Sequence, residues 1–466
     1  MSELYYRTAT DLASAIQRKD LSISEVLEVH LTRIEAVNPE LNAIVTLCEE
    51  DAREQALFMD ENFAPQGKPL YGLPIAIKDL ALTQGIRTTF GSPIFSDFVP
   101  TEDELFVSRL RAAGAIIIGK TNTPEFGAGS QTFNQVFGTT KNPYDVTKTC
   151  GGSSGGAAVA VASGMLPLAD GSDLGGSLRN PAAFCNIVGF RPSPGRVPNY
   201  PKQLSSEPLS VSGPMARNVE DLALLLSVMA GPDTRVPISL PEPGSHFQRA
   251  LDRDWQGVRV AWSNDFNLFE VDKEIVSRFE SALPNFSSLG LELSNTCPDL
   301  SAAEDIFTTL RAWLFAARFG PMLEKHRDKM KDTVIWNIEQ GLNLSVEDLT
   351  RAETLRSALI ARVADFFNHY DFLLCPSTQV LPFSLDKEWV DEINGVTMPT
   401  YLDWMGICWA ITVTGCPAIS IPAGFSDSGL PIGMQIIGPR GRDLEVLQLA
   451  RAFEKNTGHA KRHPQC

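Results

Sequence analysis

No two of the eight cysteines stand in a Cys-x-x-Cys pair and none sits beside a histidine ladder, so the sequence offers no zinc site or disulfide framework of recognisable spacing. Cys48, Cys150, Cys185, Cys297, Cys375, Cys408, Cys416 and Cys466 are scattered, and all are expected to be buried thiols of a reducing cytoplasm. A catalytic cysteine would stand in a glycine-rich turn or next to a base, and none does.

Positive charge is also scarce. Lys and Arg number 40 against 56 Asp and Glu, a net charge of −16, so the overall field repels a phosphate backbone and direct nucleic-acid binding is disfavoured. Long apolar runs are missing as well. The most apolar stretch, 155–169, is broken by Ser163, Gly164 and Pro167 and falls short of the roughly 20 residues that span a bilayer, so no membrane partner is expected. The opening Met1-Ser2-Glu3-Leu4-Tyr5-Tyr6-Arg7 lacks a basic start followed by an apolar segment, which points to a cytoplasmic location.

What is present alternates between helical and strand periods. Thr10 precedes Asp11-Leu12-Ala13 as a helix start, and Ser22-x-x-Glu25 has capping-box spacing ahead of Leu27, Leu31 and Ile34, with Pro39 placed after the helix end. Thr101-x-x-Glu104 predicts a second helix, through Leu105 and Leu110, that stops at Gly114. Strands are predicted at 73–77, 115–118, 372–375, 418–421 and 433–437, and helices at 218–230 and 443–454. This alternation argues for an α/β fold. Prolines cluster after Gly231, and the polar, helical stretch from there to about Tyr370 reads as an insertion or lid.

Two glycine turns carry hydroxyls. Gly151-Gly152-Ser153-Ser154-Gly155-Gly156 runs into the small residues 157–162, and Gly171-Ser172-Asp173-Leu174-Gly175-Gly176-Ser177 is followed by Leu178-Arg179-Asn180-Pro181. Glycine admits backbone that other residues avoid, and a run of amides without β-carbons is what an oxyanion needs. A flexible linker fits poorly between packed elements, and no Gly-Lys-Ser/Thr follows that would make a phosphate loop. Turns that merely require glycine remain open, but they account less well for two that each bear hydroxyls.

A serine nucleophile needs a base. His30, His246, His326, His369, His459 and His463 all lie away from the glycine turns and read as helix-surface or loop residues, although a Ser-His-Asp triad drawn from distant positions stays open. Lys78 ends the apolar run 73–77, where it must either find a counter-ion or lose its proton. Taken alone, the lysine favours a salt bridge to Asp79 or another carboxylate.

Together, Lys78 and the two glycine turns resemble the amidase signature family, whose members act on amides through a Ser, cis-Ser and Lys triad. The resemblance is densest over 73–197, continues through Ser212-Gly213-Pro214-Met215-Ala216-Arg217, and is looser at Cys375-Pro376-Ser377 and 415–438. It implies Ser177 as nucleophile, Ser153 as bridging cis-serine and Lys78 as general base. The oxyanion would rest on the amides of Leu174, Gly175, Gly176 and Ser177, with Ser154, Asp173 and Arg179 as structural supports. Ser172, Leu174 and Asn180 depart from the commoner family residues and put the substrate's immediate surroundings in doubt.

The implied fold is one large α/β/α domain over 1–466 with a mixed central sheet, and 232–370 as its variable, substrate-shaping region. The implied reaction is hydrolysis of a small-molecule carboxylic amide to acid plus ammonia or amine through a Ser177 acyl-enzyme, with no metal or cofactor; a homodimer is left open. Two rivals stand beside it: the glutaminase subunit of a transfer-RNA-dependent amidotransferase, and a catalytically silent binding scaffold. Phe126, Phe184, Trp313, Phe315, Trp336, Trp404 and Trp409 are candidates for an apolar pocket, with core packing as the default for each.

Overall fold

Eleven strands form one mixed sheet in a computed structural model that describes residues 4–466. In chain order they are β1 (Ile44–Leu47), β2 (Pro74–Lys78), β3 (Ile116–Thr121), β4 (Leu168–Asp173), β5 (Val188–Arg191) and β6 (Val211–Ala216). They continue with β7 (Arg259–Trp262), β8 (Glu292–Asn295), β9 (Phe372–Pro376), β10 (Ala418–Phe425) and β11 (Pro431–Ile437). Across the sheet the order is β1-β3-β2-β4-β6-β5-β10-β11-β9-β7-β8. β2 runs parallel to both β3 and β4, whereas β4 pairs antiparallel with β6. Every residue of β2, β3, β5, β6, β9 and β11 is buried, as strands covered on both faces must be.

The small residues after the first glycine turn form the helix Gly155–Ala162, which is buried along its whole length against β4. Larger side chains could not approach the sheet so closely.

Local signals held where the cap itself was legible. Ser22 and Glu25 make the reciprocal capping box at the start of the helix Ile23–Leu41. Asn218 caps Val219–Met229. The first helix, Ala9–Gln17, is capped by Thr8 and not by Thr10, because Asp221 accepts both the N–H and the hydroxyl of Thr10 at 2.9 Å. Pro39 lies inside its helix, and the end is closed by Asn42 at φ +53, donating its N–H to Asn38 O. Thr101 caps nothing. The helix Leu105–Ala112 begins after Glu104, whose carboxyl accepts the Leu82 N–H at 3.4 Å instead of reaching back.

The stretch read as an insertion or lid divides in two. β7 and β8 extend the main sheet, and the helices Ala303–His326, Asp332–Leu342 and Val346–His369 follow them. All eight cysteines are free thiols, but only five are buried; Cys48, Cys297 and Cys466 are half-buried, packed against the outside of the apolar core. Among the described residues, no helix is long and apolar enough to cross a membrane.

Candidate active site

Lys78 closes β2 and is buried, with 1% of its surface exposed. Its Nζ lies 2.8 Å from Ser153 Oγ, 2.8 Å from Ser154 Oγ and 3.0 Å from Ser172 Oγ. Ser153 follows a cis peptide bond from Gly152. The Ser154 hydroxyl donates to Ser172 O at 3.3 Å, so toward the lysine it acts as acceptor. A neutral amine has two N–H donors and one lone pair. With Ser154 Oγ and Ser172 Oγ taking the two donors, the lone pair is left for the Ser153 hydroxyl.

The neutral form is favoured by burial, which lowers the Lys78 pKa to about 7 although Asp170 and Asp173 pull the other way. The salt bridge to Asp79 does not form. Asp79 instead accepts the Thr89 N–H at 3.0 Å and the Thr89 hydroxyl at 2.5 Å.

The second glycine turn is built over Asp173, the last residue of β4. Its carboxylate accepts the Gly176 and Leu178 N–H groups at 2.9 and 3.1 Å, and Arg179 and Arg191 both pair with it. Burial opposes this charge, but the two guanidinium groups outweigh it and hold the carboxyl well below the usual carboxylate range. Arg179 in turn donates to Cys408 O, Gln435 Oε1 and Thr412 Oγ1, tying the turn to distant elements.

Of the four amides expected to cradle an oxyanion, that of Gly176 is committed to Asp173. The N–H groups of Leu174, Gly175 and Ser177 meet no protein acceptor among the described residues. The Ser177 hydroxyl likewise forms no hydrogen bond to protein among the described residues, including to Ser153, and it faces a cavity. The geometry thus closes the contact between Lys78 and Ser153 and leaves that between Ser153 and Ser177 open.

That cavity, about 470 Å³, is lined by Lys78, Ser153 and Ser177 together. Phe90, Phe126, Leu314, Phe315 and Phe319 form an apolar side, and Glu104, Asp170, Asn199, Lys202 and Arg318 a polar one. Phe126 and Phe315 are the two expected aromatics that reach it. Phe184 stacks on Trp404 and Trp409 on Phe307 in the core, while Trp313 and Trp336 line other surfaces. Phe90 and Phe319 escaped the sequence reading because nothing in their local context distinguishes a cavity wall from core.

Asp170 and Glu104 were also missed. Both are carboxyls pushed up by burial, Asp170 to about 6 and Glu104 to about 7. The histidines stay outside the site. His30 is not on a helix surface but buried, with Nδ1 3.2 Å from Gly164 O. Among the described residues, no three His, Cys, Asp or Glu side chains are grouped to hold a metal ion.

The family model described as Amidase matches residues 25–447. An acylamidase of Rhodococcus erythropolis is 34% identical over 466 residues, with 99% of this chain and 98% of the relative covered. A glutamyl-tRNA(Gln) amidotransferase subunit of Alkaliphilus metalliredigens (strain QYMF) is 35% identical over 488 residues, with 98% of each chain covered. A solved bacterial aryl acylamidase superposes with a TM-score of 0.93 at 30% identity, covering 99% of this chain and 98% of its own.

Proposed function

The chain belongs to the amidase signature family, whose hydrolases act on carbon–nitrogen bonds, and from that membership we propose that it hydrolyses an acyl amide through a covalent Ser177 intermediate. The observation that carries the proposal is the 2.8 Å approach of the Lys78 amine to the Ser153 hydroxyl, lining a cavity that Ser177 also lines.

The relay requires the Ser177 hydroxyl to reach Ser153, a contact of the kind that tightens as substrate binds. The Ser177 proton then passes to Ser153 Oγ while the Ser153 proton passes to Lys78 Nζ. Ser177 Oγ forms a bond to the amide carbon, and the carbonyl electrons move to oxygen. The free amides of Leu174, Gly175 and Ser177 receive that oxyanion, with the Gly176 N–H serving the turn. When the C–N bond breaks, the leaving nitrogen takes the proton back along the relay. Water, deprotonated by the same route, releases the acid.

The aromatic side of the cavity favours acyl amides with an aryl or other apolar group. This is the ground for preferring a stand-alone amidase of the acylamidase kind. The second reading, a glutaminase subunit, draws on the 35% identity to the amidotransferase relative. It requires a site for the two charged groups of free glutamine, which would have to be met on the polar side of the cavity, where Lys202 and Arg318 already face Glu207.

The test is turnover of anilides and of glutamine by the purified chain, together with its Ser177→Ala variant. Anilide hydrolysis lost in the variant supports the proposal. Hydrolysis that survives Ser177→Ala defeats it, and glutaminase activity appearing only with a second subunit favours the other reading.

A further inference from the structure

Lys78 has a second buried neighbour besides the serines. Its main-chain N–H donates to Asp170 Oδ1 at 2.9 Å, between residues 1% and 2% exposed. β2 and β4 pair in parallel through Ile75 with Leu168 and Ala76 with Ala169, and the register ends there. The Lys78 N–H therefore has no strand carbonyl on that side, and the Asp170 side chain takes its place.

A neutral amide would satisfy that N–H equally well. A buried carboxylate is the costlier choice, because it must be kept charged away from water. Asp170 has no guanidinium or ammonium bonded to it, in contrast with Asp173, three residues on, which has two. Lys120, the other buried cation nearby, spends its ammonium on Ala81 O, Thr83 Oγ1 and Thr88 Oγ1.

We propose that Asp170 is a positioning residue that holds Lys78 by its backbone and, through its negative charge, sets the proton affinity of the Lys78 amine. The inference rests on the reading of Lys78 as the base. The charged groups facing this pair are Asp173, neutralised by Arg179 and Arg191, and, acting on Asp170, Lys120 and Glu104. Of the two carboxylates that act on the amine, Asp170 and Asp173, Asp170 is the one that carries no ion pair of its own. Its charge stabilises the protonated amine and so strengthens the base that the relay requires.

The experiment measures how fast a fluorophosphonate probe labels Ser177 across pH, read by mass spectrometry of the adduct. Asp170→Asn keeps an acceptor for the Lys78 N–H and removes the charge. Its acid limb moves about one pH unit lower, and its plateau rate falls about three- to tenfold as the amine becomes a weaker base. Asp170→Glu retains the charge and brings the midpoint back toward that of the wild type. Should Asp170→Asn fail to fold, Asp170→Ser supplies a neutral acceptor with the same expectation. An acid limb that survives in the residual labelling of Lys78→Ala refutes the base assignment and this inference with it. A limb lost in Lys78→Ala but unmoved in a folded neutral variant of Asp170 refutes this inference alone.

Discussion

Arg179 grips Asp173 with two nitrogens, Nε at 3.1 Å and Nη2 at 3.0 Å, and neither side chain has any exposed surface. The carboxylate so held accepts the Gly176 and Leu178 amides, which bracket Ser177 in the chain. The turn that presents Ser177 is therefore fixed from beneath by a buried ion pair, and its shape depends on charge as much as on glycine.

Replacing Arg179 with Met leaves Asp173 buried with Arg191 as its remaining cation. Breaking one partner of such a pair typically costs about 3–5 kcal/mol. Urea denaturation of Arg179→Met is expected to show a loss of that order, with labelling of Ser177 reduced as well. Arg179→Lys is expected to recover little, since an ammonium cannot reproduce the two-nitrogen grip. Full recovery by Lys would show that charge alone holds the turn.

The lowered Lys78 pKa makes a kinetic prediction of definite sign. The protonated amine has no lone pair to accept from Ser153, so the proposed relay requires the neutral form. Below about pH 7 the rate is expected to rise close to tenfold per pH unit, and above it to level off. A kcat/KM profile that falls between pH 6 and 8 would contradict a lysine base.

His30 predicts the acid stability of the fold. Burial first, and Arg217 second, lower its pKa to about 4 from an ordinary 6.5, so the folded protein favours the neutral ring. The unfolded chain binds the proton more readily in this window. The contribution of His30 is therefore fully present above pH 6.5 and is lost as pH falls to about 4, by at most about 3 kcal/mol. His30→Gln keeps a donor for Gly164 O without a titrating ring. Its denaturation midpoint is expected to decline less than that of the wild type between pH 6.5 and 4.5, and parallel declines would remove His30 from the account.

How much of this was legible in the sequence follows from the range of each interaction. Ser153 and Ser177 stand in turns whose glycines and hydroxyls are contiguous, and Lys78 ends an apolar run, so local sequence singles them out, whereas the roles proposed for them come from the family resemblance. Glu104 looked like half of a capping box with Thr101, and only the placement of Leu82 shows where its carboxyl goes. Asp170 depends on strand register, since its side chain meets the Lys78 amide only because β4 and β2 part after Ala76. Phe315, Arg318 and Phe319 belong to a helix far along the chain, and their spacing is equally consistent with simple packing.

Gly176 has φ +119, and a β-carbon there would stand 2.7 Å from Cys408 Cβ and 2.9 Å from Asn180 Nδ2. Gly176→Ala must therefore move the backbone next to Ser177, displacing the amides proposed to hold the oxyanion. A fall in kcat of about 10²–10³-fold, with KM for the same amide changed little, is expected. If KM rose and kcat held, the turn would be binding ground-state substrate instead.

The aromatic side of the cavity can be tested at Phe319, which stacks on Phe126 with ring centroids 4.5 Å apart and packs against Phe315 at 5.5 Å. If this wall receives the apolar part of the substrate, Phe319→Ala removes contact area that an aryl amide uses and acetamide does not reach. The expected outcome is a roughly tenfold loss of kcat/KM for an anilide, carried mainly by KM, with the value for acetamide within about twofold. Equal losses for both substrates would mean that Phe319 supports the helix Ala303–His326 and touches no substrate, and the preference for aryl amides would then have no basis in this wall.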